Sequence, residues 1–149
     1  MDLAQHRHMP PVSTLMTPFP YFVGPDDPVA RVLELMREHD IRHVPVKKDD
    51  RVIGLISQSD LRWLTDPNRG AIDPASVRVR DVPVPPPYAV ELSAPLGPVL
   101  LEMARLRVSS AIVLRSGRLA GIVTETDVCR ALGQVLERRF PPGGGGDAA

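Results

Sequence analysis

One seven-residue pattern occurs twice in this chain, and it constrains the fold more than any other feature. Residues 54–60 (GLISQSD) and 121–127 (GIVTETD) both read glycine, two aliphatic residues, a hydroxyl residue, two polar residues and an aspartate. The offset from residue 54 to residue 121, 67 positions, continues through the flanking sequence without a gap, so that Tyr21 corresponds to Tyr88 and Met36 to Met103. A long unit present only twice predicts two similar modules packed together rather than an extended solenoid.

The first copy is predicted to begin with a short strand and a helix. Residues 21–23 are β-formers, and Asp26 and Asp27 then offer an N-cap, with Pro28 suited to the first helical turn. Apolar residues recur at i, i+3, i+4 and i+7 along this helix, which is the spacing of one buried stripe. The stripe consists of Val29, Val32, Leu33 and Met36.

Two strands and a second helix complete a predicted β-α-β-β-α unit. Residues 42–46 and 51–56 have the composition of strands, and Pro45 favours an edge or strand-end position for the first of them. The second helix is predicted to begin at Ser57 and to end at about Leu64. The same elements recur in the second copy, as a helix stripe at Leu96, Val99, Leu100 and Met103, strands at 109–114 and 118–123, and a last helix from Thr124 to about Arg139.

Composition divides the chain into five segments. Residues 12–66 and 77–139 are predicted to be the two repeats, joined by a linker at 67–76 that is rich in turn-forming residues. Residues 1–11 are predicted to be flexible. Residues 140–149 contain two prolines followed by four glycines, which predicts a disordered tail.

Charge and cysteine content limit the classes of function. The 18 basic and 18 acidic residues give a formal net charge of zero, so we expect no nucleic-acid partner. The chain shows no signal-peptide pattern and no apolar run of the roughly 18 residues that a membrane span needs. Its single cysteine, Cys129, cannot form an intrachain disulfide. These features together predict a cytoplasmic protein that does not interact with membranes.

The repeated motif has the parts of a nucleotide site. A strand that leads directly into a helix places free helix N–H groups at the end of the strand, where they favour an anion. Ser57 or Thr124 could add a hydrogen bond to a phosphate. Asp60 or Asp127, one turn later, could accept two hydrogen bonds from a ribose diol. The motif glycine would leave room for a flat ring to approach the backbone.

A simpler interpretation explains the same residues. A hydroxyl residue at the N-cap and an acidic residue three positions later are also how a helix caps its own start. Repetition does not decide between the two interpretations, because duplication copies a structure whether or not it binds anything.

The two copies differ in charge near the motif. Arg42 and His43 precede a strand of the first copy, where they either neutralise an anionic ligand or form an exposed basic edge that prevents pairing with other chains. The second copy has Ser109 and Ser110 there, which donate hydrogen bonds but carry no charge. Any two ligand sites are therefore expected to differ in affinity. Arg130, one turn into the last helix, either supplies the missing charge or belongs to a solvated face.

The duplicated unit resembles the CBS domain family. The resemblance rests on Gly-x-x-Ser/Thr-x-x-Asp at the last strand-to-helix junction of each copy and on His43-Val44-Pro45-Val46 before the first junction. It covers about Val12 to Leu136, and the two copies look like a CBS pair, or Bateman module. The resemblance implies an α/β (α+β) fold in which two tandem β-α-β-β-α repeats pack around a pseudo-two-fold axis and form two clefts.

The resemblance also implies which residues would bind a ligand. The aspartates would hold ribose hydroxyls, the motif hydroxyls would meet phosphate, and two residues of each copy would line the base. The first set is Arg42, His43, Val44, Pro45, Ser57 and Asp60. The second set is Ser109, Ser110, Ala111, Ile112, Thr124 and Asp127, in which the proline and the basic pair of the family pattern are missing.

Members of the family often bind AMP, ADP or ATP, and some bind S-adenosylmethionine or NAD-type ligands. The expected function is regulatory binding of an adenosine-containing ligand, with a signal carried by conformational or oligomeric change to a homodimer or an unknown protein partner. The alternative is a ligand-free structural or stress-associated dimer. We expect no enzyme activity, cofactor or metal site, because Cys129 has no base at a recognisable spacing and no metal-ligand cluster stands out.

Overall fold

Two β-sheets and three α-helices make up the described part of the chain, which in the computed structural model is Leu3 and residues 7–142. The residues predicted to be flexible at 1–2, 4–6 and 143–149 lie outside this part. The elements in chain order are β1 (Thr17–Pro18), α1 (Val29–His39), β2 (His43–Lys48), β3 (Arg51–Ser57), a 3-10 helix (Gln58–Thr65), β4 (Ala89–Glu91), α2 (Leu96–Leu106), β5 (Ser110–Arg115), β6 (Arg118–Thr124) and α3 (Glu125–Arg139). The prediction of a mixed α and β fold with two repeats is confirmed.

Each repeat builds its sheet around an antiparallel hairpin. The sheet of the second repeat has the strand order β1-β6-β5-β4, with β4 parallel to β5. In the first repeat β2 pairs with β3, and Val23 forms a single parallel bridge to Val46. The two hairpins carry a bulge at the same place, after Val46 and after Val113. The duplication therefore extends to irregularities of the backbone.

A proline explains why β4 has no full counterpart in the sheet of the first repeat. In the second repeat the amide of Ile112 donates to the carbonyl of Tyr88 at 2.8 Å, which ties β4 to β5. Pro45 stands at the corresponding position and has no N–H, so the equivalent bond to Tyr21 cannot form. Pro45 pairs with β3 on one side, and on the other its carbonyl accepts from the amide of Val23 at 3.0 Å. Because β2 is one of the two strands of this sheet, Pro45 stands on an edge strand, as predicted.

The first residues of each repeat pack on the other repeat. Val12 is fully buried in the core of the second repeat, and its amide donates to the carbonyl of Ala94 at 2.7 Å. Val79, its counterpart in the duplication, is buried in the core of the first repeat, and its amide donates to the carbonyl of Asp27 at 2.9 Å. Ala94 is likewise the counterpart of Asp27. The exchange is thus symmetrical, as a pseudo-two-fold axis requires.

The motif glycine of the second repeat makes room for such a crossing segment. A Cβ added to Gly121 would lie 2.5 Å from Sδ of Met16 and 2.9 Å from the carbonyl oxygen of Thr17 on β1. A Cβ added to Gly54 would lie 3.5 Å from Cγ2 of Val84, which is an ordinary contact. The space that the sequence suggested for a flat ring is filled at Gly121 by the chain itself.

The helices differ in detail from their predicted form. Pro28 is the N-cap residue of α1, and its side chain makes no capping hydrogen bond. Asp27 instead accepts a hydrogen bond from the amide of Gly24 at 2.7 Å. Leu35 is buried in α1, whereas Leu33 is only partly buried. Residues 58–65 form a 3-10 helix instead of the α-helix that the pattern predicted. The last helix does end at Arg139, as expected.

Candidate functional site

Each hairpin ends in a complete capping box. Oγ of Ser57 accepts from the amide of Asp60 at 3.3 Å, and Oδ2 of Asp60 accepts from the amide and the hydroxyl of Ser57, each at 2.7 Å. Thr124 and Asp127 repeat this arrangement, with Oδ2 at 2.8 Å from the amide nitrogen of Thr124 and 2.9 Å from its hydroxyl. The hydroxyl and acid pairs singled out in the sequence are therefore in contact, and both pairs cap a helix.

The helix starts keep only part of their capacity to bind an anion. The amide of Gln58 donates to the carbonyl of Arg42 at 2.8 Å, and the amide of Glu125 donates to the carbonyl of Ser109 at 3.0 Å. Together with the capping bond, these contacts use two of the N–H groups that an anion would need at each junction. An anion there would depend on side chains as well, and the side chain of Arg42 is exposed and available.

His43 connects the first junction to the second repeat. It lies opposite Ser57 in the register of β2 and β3, and its Nε2 is 2.8 Å from Oγ of Ser109. Burial lowers the pKa of His43 below its ordinary value of 6.5, against the smaller opposing effects of the carboxylates of Asp60 and Glu125. The ring therefore lies within the electrostatic reach of acidic groups from both repeats.

The second junction is already occupied by its own side chains. Ser110 is buried and lies opposite Thr124 in the register of β5 and β6. Nη1 of Arg130 donates to Oδ1 of Asp127 at 3.3 Å. Because Oδ2 of this aspartate holds the cap, both of its oxygens have partners within the chain. The positive charge of Arg130, which could have served a ligand, is thus paired with the carboxylate of Asp127.

The four residues expected to line a base are fully buried, on two different faces. Val44 and Ala111 belong to the hydrophobic cores of their own repeats. Pro45 and Ile112 are adjacent to them in the strands and therefore point to the opposite face of each sheet. His43 shares the face of Pro45, and its bond to Ser109 shows that this face is turned to the other repeat. Only Pro45 and Ile112 thus lie on the side where a cleft between the repeats would form.

Two residues near the junctions have roles that the sequence did not indicate. Glu125 acts electrostatically on His43 from the other repeat. Trp63 stands at the position that corresponds to Arg130, and its Nε1 is buried without a hydrogen-bond partner within residues 7–142. The offset of the repeat could have revealed the exchange of Trp63 for Arg130. The approach of Glu125 to His43 depends on how the repeats pack, for which the sequence carries no local signal.

Two surface cavities lie apart from His43 and Trp63, although Glu125 lines the first of them. One of about 550 Å³ lies between α2 and α3, lined largely by apolar side chains such as Leu100, Met103 and Val128, with the exposed Cys129 at its border. The other, of about 480 Å³, lies between the turns of the two hairpins, where Arg118 and Asp50 form an ion pair at 3.4 Å. In the described part of the chain, no three His, Cys, Asp or Glu side chains gather as a metal site, and no helix has the length and apolar character to cross a bilayer.

The family model for the CBS domain matches residues 12–64 and 79–134. These ranges correspond to the two repeats of the fold and cover more than half of the chain. The chain therefore belongs to the CBS domain family and is a pair of CBS repeats. Hypoxic response protein 1 of Mycobacterium tuberculosis is 30% identical to it over 111 residues, which are 74% of this chain and 76% of that protein.

Solved structures of CBS proteins share this fold. CBSX2 in complex with AMP has a TM-score of 0.70 and 27% identity, and the match covers 85% of this chain and 98% of that one. The CBS domain of a bacterial CNNM/CorC family Mg²⁺ transporter in complex with ATP has a TM-score of 0.70 and 29% identity, over 83% of this chain and 87% of that one. Both comparisons relate this chain to folds that have been solved with an adenine nucleotide.

Proposed function

We propose that this chain is a regulatory protein that binds an adenosine-containing ligand between its two repeats, with AMP, ADP or ATP favoured over S-adenosylmethionine and NAD(H). The observation that carries the proposal is the first junction, where His43 lies opposite Ser57 and beside the capping box of Asp60. A phosphate at this place would meet a hydroxyl, a helix start and the two cationisable side chains of Arg42 and His43. A ribose hydroxyl would meet Oδ1 of Asp60, because the hydrogen bonds that this carboxylate makes within residues 7–142 use Oδ2.

The relatives support the class of ligand. CBSX2 was solved with AMP and the transporter domain with ATP, and both are more than 25% identical to this chain over more than four fifths of its length. Their ligands share the adenosine group and differ in the number of phosphates. The relatives therefore favour adenosine recognition, while the positive charge of Arg42 and His43 favours a phosphorylated form.

Entry of the ligand would itself supply the signal. Pro45 and Ile112, which would line the base in the two clefts, are fully buried. A base can reach them only if the repeats open, so the ligand would bind the open arrangement in preference to the closed one. Such a difference in affinity is what a ligand needs to shift a conformational equilibrium.

We propose that the conformational change is passed on through a homodimer or to a protein partner in the cytoplasm. The chain itself would have no enzyme activity. α2 and α3 flank the 550 Å³ cavity and carry the exposed side chains Leu101, Leu132 and Leu136. Exposed leucines clustered on neighbouring helices are typical of a surface that another protein covers. The identity of this proposed partner would decide which process the ligand regulates.

A second candidate is a structural or stress-associated dimer that binds no ligand. The satisfied capping boxes favour it, because Asp60 and Asp127 have a structural role that explains their presence without a nucleotide. The similarity to hypoxic response protein 1 is also compatible with a role in stress. This candidate predicts that no adenosine ligand stabilises the protein.

A thermal-shift screen tests the two candidates. The purified protein is heated with AMP, ADP, ATP, NAD, NADH or S-adenosylmethionine, each with and without magnesium. A ligand present at about 100 times its dissociation constant adds about 2.7 kcal/mol of stability. For a chain of this size that corresponds to a rise of about 5–11 °C in Tm. We expect a selective rise with an adenine nucleotide.

Two aspartate variants make the test specific. Asp60→Asn keeps a side-chain acceptor for the cap but removes the charge and the second ribose acceptor, so it should fold and lose most of the shift. Asp49→Asn is the matched control, because Asp49 is an exposed turn residue with a φ of 53°, a conformation that asparagine adopts equally well. Absence of a shift in the wild type with all six ligands would favour the structural dimer. A shift that survives Asp60→Asn would refute the assignment of the first junction.

A further inference from the structure

The hydrogen bond between His43 and Ser109 belongs to both predicted clefts at once. His43 belongs to the first ligand set and Ser109 to the second, yet Nε2 of the one lies 2.8 Å from Oγ of the other. Both side chains are partly buried, so the contact is partly shielded from water. The two predicted sites therefore share one pair of polar atoms, and neither site can use its member of the pair freely.

A ligand in either cleft has to break the His43–Ser109 hydrogen bond before it can bind the residue of this pair that belongs to its own cleft. A phosphate in the first cleft would accept a hydrogen bond from the ring of His43. Ser109 would then lose its partner. A ligand in the second cleft would engage Ser109, which leaves His43 without its partner. Binding of the first ligand therefore costs the free energy of the bond, whereas binding of the second ligand does not carry that cost.

We infer that the His43–Ser109 hydrogen bond couples the two clefts, so that occupation of one raises the affinity of the other for the same adenine nucleotide. This inference rests on the proposed function. Coupling of this kind is reciprocal, and its size equals the net free energy of the shared bond. A net hydrogen bond in a protein corresponds to a change of about 2- to 12-fold in affinity.

The charges around the pair bear on which partner His43 prefers. Burial lowers the pKa of His43 and Arg42 acts in the same direction, whereas the carboxylates of Asp60 and Glu125 partly offset this by favouring the protonated ring. An anionic ligand in the first cleft would add a further negative group beside the ring. The imidazole would then donate to the ligand rather than remain with the uncharged hydroxyl of Ser109.

The coupling is tested by removing one partner of the bond and measuring the cleft that the mutation does not touch. Asp127→Asn serves as the background in which binding at the first cleft is measured alone. In this background, Ser109→Ala removes the bond in advance, so AMP affinity at the first cleft should rise by about 2- to 12-fold in isothermal titration calorimetry. Ser109→Thr restores a hydroxyl and should return the affinity to that of the background. Ser93→Ala, an exposed serine in the turn after β4, is the matched control for the loss of a serine hydroxyl.

The outcomes separate the inference from the proposed function. If the background protein binds AMP and Ser109→Ala leaves the affinity unchanged or lowers it, the inference is overturned and the proposed function stands. If neither wild type nor background binds any adenine nucleotide, the proposed function fails and the inference fails with it.

Discussion

A single methyl group should destabilise one copy of the repeated motif and not the other. In Gly121→Ala the new Cβ would lie 2.5 Å from Sδ of Met16 and 2.9 Å from the carbonyl oxygen of Thr17. The thioether can move aside, but the oxygen belongs to the backbone of β1, which pairs with β6 through Thr17 and Ile122. Overpacking of this kind costs about 1–3 kcal/mol. We therefore expect that loss of stability, with β1 displaced from the sheet edge.

Gly54→Ala is the matched variant at the equivalent position. The nearest atom to its Cβ would be Cγ2 of Val84 at 3.5 Å, an ordinary van der Waals contact. Neither Gly54 nor Gly121 has a positive φ, so alanine strains the backbone at neither position. Replacing glycine by alanine also reduces the freedom of the unfolded chain, which stabilises by about 0.4–1 kcal/mol where the native space allows it. Gly54→Ala should be neutral or slightly stabilising.

Urea denaturation followed by circular dichroism measures both variants against the wild type. A loss of 1–3 kcal/mol in a domain of this size lowers Tm by about 2–12 °C, so a thermal melt provides an independent check. Equal losses in the two variants, or a fully stable Gly121→Ala, would show that β1 does not pack closely against β6 at Gly121. The explanation of the motif glycine by crossing segments would then be refuted.

Two further predictions concern the junctions. Ser57→Ala and Thr124→Ala each remove an N-cap hydroxyl and should each lower the free energy of unfolding by about 1 kcal/mol in urea denaturation, and unchanged midpoints would count against the capping boxes. The pH dependence of stability should report on His43, because burial lowers its pKa in the folded state below 6.5. As the pH falls through 6.5 the unfolded chain takes up this proton first, so the folded state loses stability until its own lower pKa is reached. His43→Gln should remove that part of the loss, and a curve with the same slope as the wild type would exclude the effect.

The repeat predicted the architecture because a duplication copies local signals. The hairpin strands, the helices and the two motif junctions depend on residues close together in sequence, and their predicted positions agree with the structure within a few residues. The strand predicted at 21–23 is reduced to the bridge of Val23, and β1 was not predicted. The capping boxes are of the same kind, since Ser57 and Asp60 are only one helical turn apart. The helix after Ser57 was predicted to be an α-helix and is a 3-10 helix. The prediction failed because a short apolar pattern does not distinguish the two helix types.

Contacts between distant segments could not be predicted in this way. Val12 is buried beside residues about 80 positions later in the chain, and nothing in the sequence around it indicates that partner. The bond from His43 to Ser109 likewise depends on how the two repeats pack. The position of Pro45 could be predicted from its own chemistry, because a residue without an N–H donor suits the edge strand on which it lies.

Capping and ligand binding turn out to be compatible uses of the same carboxylate. Asp60 holds the cap with Oδ2 alone, so a ribose hydroxyl at Oδ1 would leave the helix start intact. Asp127 holds its cap with the same oxygen, but its Oδ1 already accepts from Arg130, which stands where the first repeat has Trp63. An exposed ion pair of this type is worth only about 0–1 kcal/mol, so it would weaken a second ligand rather than exclude it. The two halves of the duplication have therefore kept one scaffold and diverged in what each scaffold offers to a ligand.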